Sequence, residues 1–513
     1  MTERPSALQR ISSLTDSFDE QDAGLVGGDP LGFEGYGRQL ESARAESGLN
    51  EACVWGWAEI EGAKCALVVT DFAFLGGSMG LAVGEKVANA FDAARRVRLP
   101  VVTVTASGGA RMQEGMFALA QMASTTEARR QHRGAGLAQV TLLTSPTTGG
   151  VYASFASLAD VVAAEPLATV GFAGPRVVAE LTGAEPPADL HTAEFAFEHG
   201  LIDAIVPSGD QRSYISRALL ALAGHEVPER KEKTRSRSLG AGAAGVEPRT
   251  PTAWEQLQLV RDPARPKART ILDALLDEPV ELCGDRTGEP DDEHVVVQVG
   301  HLWDTETHVV AIGQEAVGDG RIRPQGFRKA IRAIELAERV GFPVVTIIDT
   351  RGADPLPSSE GGGIAAAIAQ TFMAMLECHT PTVAVVTGEG GSGGALAMAT
   401  ADRVIAWSNA VFSVIAPEGA AAILYRDGAK APELAERLKI TATDLVAAGI
   451  VDEVIAEPEG GVQANPEVAA TELAAVVAGE VERLMGVRSA VRRRRRTRRW
   501  RRLAAQHVGQ RTY

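Results

Sequence analysis

Short runs of β-branched and aliphatic residues alternate along the chain with longer stretches in which apolar residues return every three or four positions. "KCALVVTDFAF" (64–74), "PVVTVTAS" (100–107) and "HVVAIGQEAV" (308–317) predict buried strands, while "GEKVANAFDAARRV" (84–97) and "PQGFRKAIRAIELAERVG" (324–341) carry helical spacing. Strand and helix in alternation predict an α/β protein of layered βα units. The pattern also occurs twice. Pro100–Arg111, "PVVTVTASGGAR", aligns without gaps on Pro343–Asp354, "PVVTIIDTRGAD". Further on, Thr147–Pro175 answers Ser392–Gly419, with Asp160 to Pro175 and Asp402 to Pro417 equally spaced, and "GLIDAIV" (200–206) answers "GIVDEVI" (449–455). Matched blocks in one order predict two copies of one domain. The expected boundaries are 25–223 and 253–485, joined by a polar Gly- and Pro-rich linker (224–252) and followed by a basic tail (486–513).

Composition refines this picture in three places. At 513 residues and 45% apolar content the chain is long enough for two cores, and no run approaches the ~20 apolar residues that span a bilayer. With a polar start that lacks a signal-peptide layout, the expectation is a cytoplasmic protein with no membrane contact. Cys53, Cys65, Cys283 and Cys378 are scattered, so neither a disulfide framework nor a zinc ribbon is expected, and no metal. The net charge of −15 includes ten arginines in Arg488–Arg502, so the remaining body carries −25, which argues against specific nucleic-acid binding. The tail itself is expected to be a solvated run, with an acidic partner or the chain's own body as its alternative targets.

One stretch, "VVTGEGGSGGALAMATADRVIA" (385–406), fits two enzyme fingerprints. As G-x-G-x-x-G (Gly388, Gly390, Gly393) it would bind a dinucleotide, but Trp407, Ser408 and Asn409 stand where a ribose-holding acid is needed. As G-x-S-x-G around Ser392 it would be a nucleophile elbow, but the only histidine after it is His507. The duplication offers a third account. Copy one has Thr148-Gly149-Gly150 where copy two has Ser392-Gly393-Gly394, so the shared element is Gly-Gly at a helix start. Backbone N–H groups there, unscreened by side chains, can hold negative charge developing on an oxygen such as a thioester enolate. The bland alternative is tight helix-to-strand packing.

These residues resemble a known family. "TASGGARMQEG" (105–115) and the segment from Pro146 to Val177 are similar to the β subunit of bacterial acetyl-CoA carboxylase carboxyltransferase. "AWEQLQLVRDPARP" (253–266), "RPQGFRKAIRAIELAERVGFPVVTIIDTRGA" (323–353) and Gly388–Leu424 are similar to its α subunit. The resemblance implies two tandem crotonase-like domains of the ClpP/crotonase ββα-superhelix type, a β-type half on the acyl-CoA side fused to an α-type half on the biotin side. It implies carboxyl transfer from carboxybiotin to a short acyl-CoA, acetyl-CoA to malonyl-CoA first of all. By the match Gly149 and Gly150 hold the thioester oxygen and Gly394 with Ala395 the biotin ureido oxygen. Ser107, Gly108, Gly109, Ala110 and Arg111 line the acyl-CoA pocket beside Gly76 and Gly77, and Gly393 contributes on the other side. Biotin would arrive on a separate biotin carboxyl carrier protein, charged by a biotin carboxylase. Complementary halves would meet across the interface of a homodimer or larger homo-oligomer. Arg328 and Lys329 are candidates for a CoA phosphate or the carrier, Gln113 and Glu114 for capping. The loop Asp349–Gly363 departs from the family pattern, with Arg351, Asp354 and a glycine run in place of an aromatic, an acid and an arginine, which keeps a non-catalytic scaffold and another crotonase-type acyl-CoA reaction as alternatives.

Overall fold

The computed structural model describes residues 4–174, 178–179, 184–187, 189–222, 251–303, 305–458, 461–505 and 509–510. Of the sequence expectations, nearly all of the linker and most of the basic tail beyond residue 505 lie outside these residues. The strands of the first half are β1 (Ser17–Gln21), β2 (Cys53–Ile60), β3 (Ala63–Thr70), β4 (Val101–Ser107), β5 (Gln139–Thr148), β6 (Val161–Ala164), β7 (Val170–Gly171) and β8 (Ala204–Ile205). Those of the second are β9 (Leu276–Glu281), β10 (Val295–Leu302), β11 (His308–Gln314), β12 (Val344–Thr350), β13 (Thr382–Gly391), β14 (Arg403–Trp407), β15 (Val411–Ser413) and β16 (Glu453–Ile455).

The two sheets have one topology. The first runs β1-β2-β3-β4-β5-β6-β8 with β7 on β5, and the second runs β9-β10-β11-β12-β13-β14-β16 with β15 on β13. In each, an antiparallel meander of three strands leads into a parallel array. All seven residues of β4 and all seven of β12 are buried, as expected of parallel strands covered on both faces. The covering helices that matter below are α1 (Leu81–Val97), α2 (Gln121–Gly134), α3 (Pro324–Val340), α4 (Ile364–Glu377), α5 (Ser392–Ala399) and α6 (Ser489–Ala505). In α3, Pro324 opens the helix, Phe327, Ala330, Ala333, Ile334 and Ala337 bury one stripe, and left-handed Gly341 closes it.

Register shows where the copies agree and where they slip. β4 pairs Val101 with Gln139 and Ser107 with Thr147, while β12 pairs Val344 with Thr382 and Thr350 with Gly390, a constant displacement. By that displacement Gly149 answers Ser392. Beyond the helix start, β5 pairs Val140 with Val161, whereas β13 pairs Val383 with Arg403, one residue less. The extra residue of copy one is taken up by a π-helical turn at Tyr152–Ala156, a common way for a helix to absorb a one-residue insertion.

Two expectations about the ends are corrected. The first sheet opens at Ser17, ahead of residue 25, and a helix at Ala7–Leu14 docks on it through Ala7 N–H to Asp71 (2.7 Å) and Arg10 to Glu165 (2.6 Å). The strand "SFDEQ" is a polar edge strand, so it lacks an apolar signature. The arginine-rich tail is a docked helix, α6, rather than a solvated run. Trp500 is fully buried, Arg496 pairs with Asp402 at 2.8 Å, and Arg499 reaches Asp452 at 2.5 Å. From the same helix Arg501 reaches Glu85 (3.3 Å) and Asp92 (3.0 Å), and Thr497 donates to Glu127 (2.5 Å). One helix therefore ties acids of both halves together. Among the described residues, no helix is long and apolar enough to cross a membrane.

Candidate active site

In the first half, two loops are stitched backbone to backbone. Gly108 N–H donates to Gly76 O (2.8 Å), Met79 N–H to Gly109 O (2.8 Å) and Arg111 N–H to Met79 O (3.0 Å). Gly77 is required at this seam: its φ is 62°, and any Cβ there would stand 1.9 Å from the Ala106 carbonyl oxygen. Ser107 is buried, and its Oγ accepts from Gly109 N–H at 3.1 Å.

Arg111 lies behind this seam, not on a pocket wall, which corrects its expected role. Its side chain is 1% exposed. Nη2 donates to Glu51 (2.7 Å) and to the Ser78 carbonyl (2.9 Å), Nε to Ser78 Oγ (3.1 Å), and Nη1 to Tyr36 Oη (3.2 Å) and Glu114 (3.3 Å). Tyr36 donates to Glu114 at 2.5 Å, and Glu114 also caps α1 by accepting from Leu81 N–H at 2.6 Å. Burial works against both acids. For Glu51 the Arg111 guanidinium overrides it and holds the carboxyl below its ordinary 4.5, while for Glu114 burial prevails and pushes it up. The cluster gathers two acids and a phenol around one guanidinium. It clamps Leu75–Gly80 onto Ser107–Arg111.

The helix starts after β5 and β13 form the core of the site. Gly149 has φ 61°, and a Cβ there would lie 2.8 Å from Gly109 Cα, so a side chain is excluded by backbone. Its N–H donates to Phe172 O at 2.9 Å, which removes Gly149 from the free donors and corrects the expectation that it holds a thioester oxygen. Gly150 differs. Among the described residues nothing accepts its N–H, and its missing side chain faces Met122. In the second half, Ser392 occupies the same left-handed position with φ 55°, a strained conformation for serine. The N–H groups of Gly393 and Gly394 follow on the first turn of α5, buried and with no acceptor among the described residues, and Ala395 is buried behind them. The equivalence read from sequence was therefore one residue out: Gly149-Gly150-Val151 answers Ser392-Gly393-Gly394.

One side chain joins the two starts. Met122 Sδ lies 3.3 Å from the Cβ position of Gly150 and 3.0 Å from that of Gly393, so those positions are no farther apart than the sum of the two distances. A single chain brings both starts together, whereas the sequence reading placed complementary halves on different chains. The junction of the halves is fixed nearby by Glu360, which accepts from Phe172 N–H and Ala173 N–H (2.9 Å each), and by Arg437 with Glu34 (2.6 Å). Arg328 and Lys329 are placed elsewhere. Arg328 donates to Asp285 (2.6 Å) and Gly362 O (2.9 Å), and buried Lys329 pairs with Asp291 (2.6 Å), so both serve packing of α3.

The carboxyl transferase domain family matches residues 29–200, and the acetyl co-enzyme A carboxylase carboxyltransferase-like family matches residues 249–504. A Salinispora arenicola protein named acetyl-coenzyme A carboxylase carboxyl transferase subunits beta/alpha is 42% identical, over 99% of this chain and 92% of its own length. The chain belongs to this carboxyltransferase family. A Clostridium tetani protein of the same name is 37% identical over 91% of this chain and 81% of its own. A Mycobacterium bovis protein named probable biotin-dependent acyl-coenzyme A carboxylase beta3 subunit is 36% identical over 92% of each. The transcarboxylase 12S crystal structure aligns with 94% of this chain and 90% of its own at 23% identity and TM-score 0.38. Family membership carries carboxyltransferase activity and the tandem crotonase-like fold, and with them sets aside the scaffold and the other crotonase-type reactions.

Sequence reasoning found the glycine-rich starts but missed Met122, Glu51 and Tyr36. Met122 sits in an ordinary helical pattern, and Glu51 and Tyr36 lie outside every repeated block.

Proposed function

We propose that this carboxyltransferase moves a carboxylate from carboxybiotin on a separate carrier protein to the α-carbon of a short acyl-CoA, acetyl-CoA to malonyl-CoA in the first instance. The observation that carries the reading is the meeting of two backbone donor sets, one from each half, at Met122. Biotin, when carboxylated, supplies the carboxylate. The chain's residues position and stabilise. Gly150 N–H holds the thioester oxygen as it gains charge, and Gly393, Gly394 and Ala395 hold the second carbonyl. Small residues at Gly108, Gly109 and Ala110 let the thioester approach. Each donor in such a site contributes about 3 kcal/mol to the transition state. The role of Gly394 rests on the family resemblance and on its buried, unpaired N–H, and that of Ala395 on the family resemblance alone. We further propose a biotin carboxylase and a biotin carboxyl carrier protein as partners and a cytoplasmic location. A homodimer or larger assembly is also proposed, to be checked by light scattering.

The test is reconstitution. The chain is mixed with a biotin carboxylase, biotinylated carrier, ATP, bicarbonate and acetyl-CoA or propionyl-CoA, and the carboxylated thioester is measured. Product that disappears in Gly150→Val while the melting temperature holds supports the reading. No product from any short acyl-CoA overturns it.

A further inference from the structure

We propose that Met122 is the residue that sets acyl length in this site, a retractable partition between the two donor sets. The inference rests on the function proposed above. Four observations carry it. Met122 is 1% exposed at the second position of α2, and its side chain reaches the two helix starts. Its Sδ and Cγ lie 3.3 and 3.4 Å from the Cβ position of Gly150, next to Ala110 Cβ at 3.6 Å. Its Cε and Sδ lie 2.9 and 3.0 Å from the Cβ position of Gly393. At the adjoining Gly394 the Cβ position meets Phe327 Cζ (3.0 Å) instead, so Met122 is the large side chain that packs against both Gly150 and Gly393.

The geometry makes the thioether a volume term in the reaction. If one carbonyl oxygen is held at Gly150 and another at Gly393 and Gly394, the carbon that forms the new bond lies beside both starts, against which Met122 is packed. Substituents on that carbon then compete with the Met122 side chain for the same space. Methionine suits this position because three rotatable bonds let it withdraw, where a β-branched residue could not. The methyl end contacts the second half and the γ-carbon the first, so withdrawal opens both starts at once.

The experiment compares wild type with Met122→Ala, Met122→Val and Met122→Leu, using acetyl-, butyryl- and hexanoyl-CoA. Calorimetry gives affinity for each thioester, and the reconstituted system gives kcat/KM. In Met122→Ala the butyryl-to-acetyl ratio is expected to rise about tenfold in both measurements, since methylene discrimination in an apolar pocket is of that order. Met122→Leu, similar in volume, keeps the wild-type profile, and Met122→Val gives an intermediate shift should the alanine variant fail to fold. A ratio unchanged in both the alanine and valine variants overturns the proposal and leaves Met122 as packing. If wild type carboxylates no thioester, the functional reading fails, and the affinity series still decides the partition by whether longer thioesters gain in the smaller variants.

Discussion

The two helix starts share a backbone and differ in everything attached to it. In the first half the left-handed position is Gly149, its N–H already bonded to Phe172 O, and the region is half-buried. In the second it is Ser392, followed by three buried N–H groups. The residues one loop away are opposite in charge. Arg111 and Asp354 are equivalent by register, since Arg111 N–H donates to Met79 O and Asp354 N–H to Ile322 O in matching strand pairs. Arg111 is paired with two acids, whereas Asp354 accepts from Ser359 (2.5 Å), has Oδ1 unbonded among the described residues, and is pushed up by burial. What this teaches is that the duplicated element is main chain: the fold repeats the position of N–H groups and leaves the side chains free to serve different ligands.

The sharpest way to break that comparison is to block each start in turn. Gly150→Val and Gly393→Val are both expected to lower carboxyl transfer by at least about a hundredfold, with the larger loss of melting temperature in Gly393→Val, whose Cβ would stand 2.9 Å from Met122. Full activity in either variant would show that one half alone does the chemistry.

A smaller effect is expected where the copies use the same acid differently. Asp160 accepts from Gln139 N–H (2.8 Å) and pairs with Arg129 of its own half, its side chain 36% exposed. Asp402 accepts from Thr382 N–H (3.1 Å) but pairs with Arg496 from α6, its side chain 2% exposed. Asp402→Asn is expected to cost about 3 kcal/mol in chemical denaturation, because it strands a buried guanidinium. Asp160→Asn is expected to cost less, about 2 kcal/mol, because solvent reaches the Asp160 side chain although its partner Arg129 is itself buried. Equal losses would mean that α6 is not seated as described.

Legibility from sequence followed the same division. The duplication, the strand runs and the glycine-rich starts were readable because each is a local pattern of apolar or small residues. Docking of α6 was not, since its partners Asp402, Asp452, Glu85 and Asp92 are far away in sequence and ten arginines in one run have the composition of a solvated tail. The exact pairing of Gly149 with Ser392 was hidden by the extra residue in the π-turn, which shifts one side of the repeat against the other.

A pH series sharpens the contrast between paired and unpaired acids. Glu457 is 3% exposed and bonded by Arg265 (3.0 Å from Nη1) and Asn409 (2.9 Å). Burial acts to raise it, but the Arg265 bonds and charge prevail and hold it below 4.5. A carboxyl lowered by folding stabilises above its unfolded value and loses that contribution as pH falls through the folded one. Glu457→Gln is therefore expected to cost about 2 kcal/mol at neutral pH, with the gap to wild type closing below about pH 4.5. Asp354 is raised instead, so Asp354→Asn should gain relative stability as pH rises above the ordinary carboxyl range. Parallel pH curves for the two variants would contradict these environments.

The smallest effect tests the left-handed position itself. Serine at φ 55° stores backbone strain that glycine would not, of order 1 kcal/mol, and Ser392→Gly relieves it while adding chain entropy to the unfolded state. The two terms nearly offset, so stability should move by less than about 1 kcal/mol in either direction. The reciprocal change, Gly149→Ser, has no such balance, because its Cβ would sit 2.8 Å from Gly109 Cα, backbone that cannot swing aside. It is expected to be much the worse of the two by thermal melting. Tolerance of both swaps would mean that the seam between Gly109 and Gly149 is looser than its mirror at Gly352 and Ser392, and that the two starts are alike in sequence position but not in the main-chain geometry on which their shared chemistry depends.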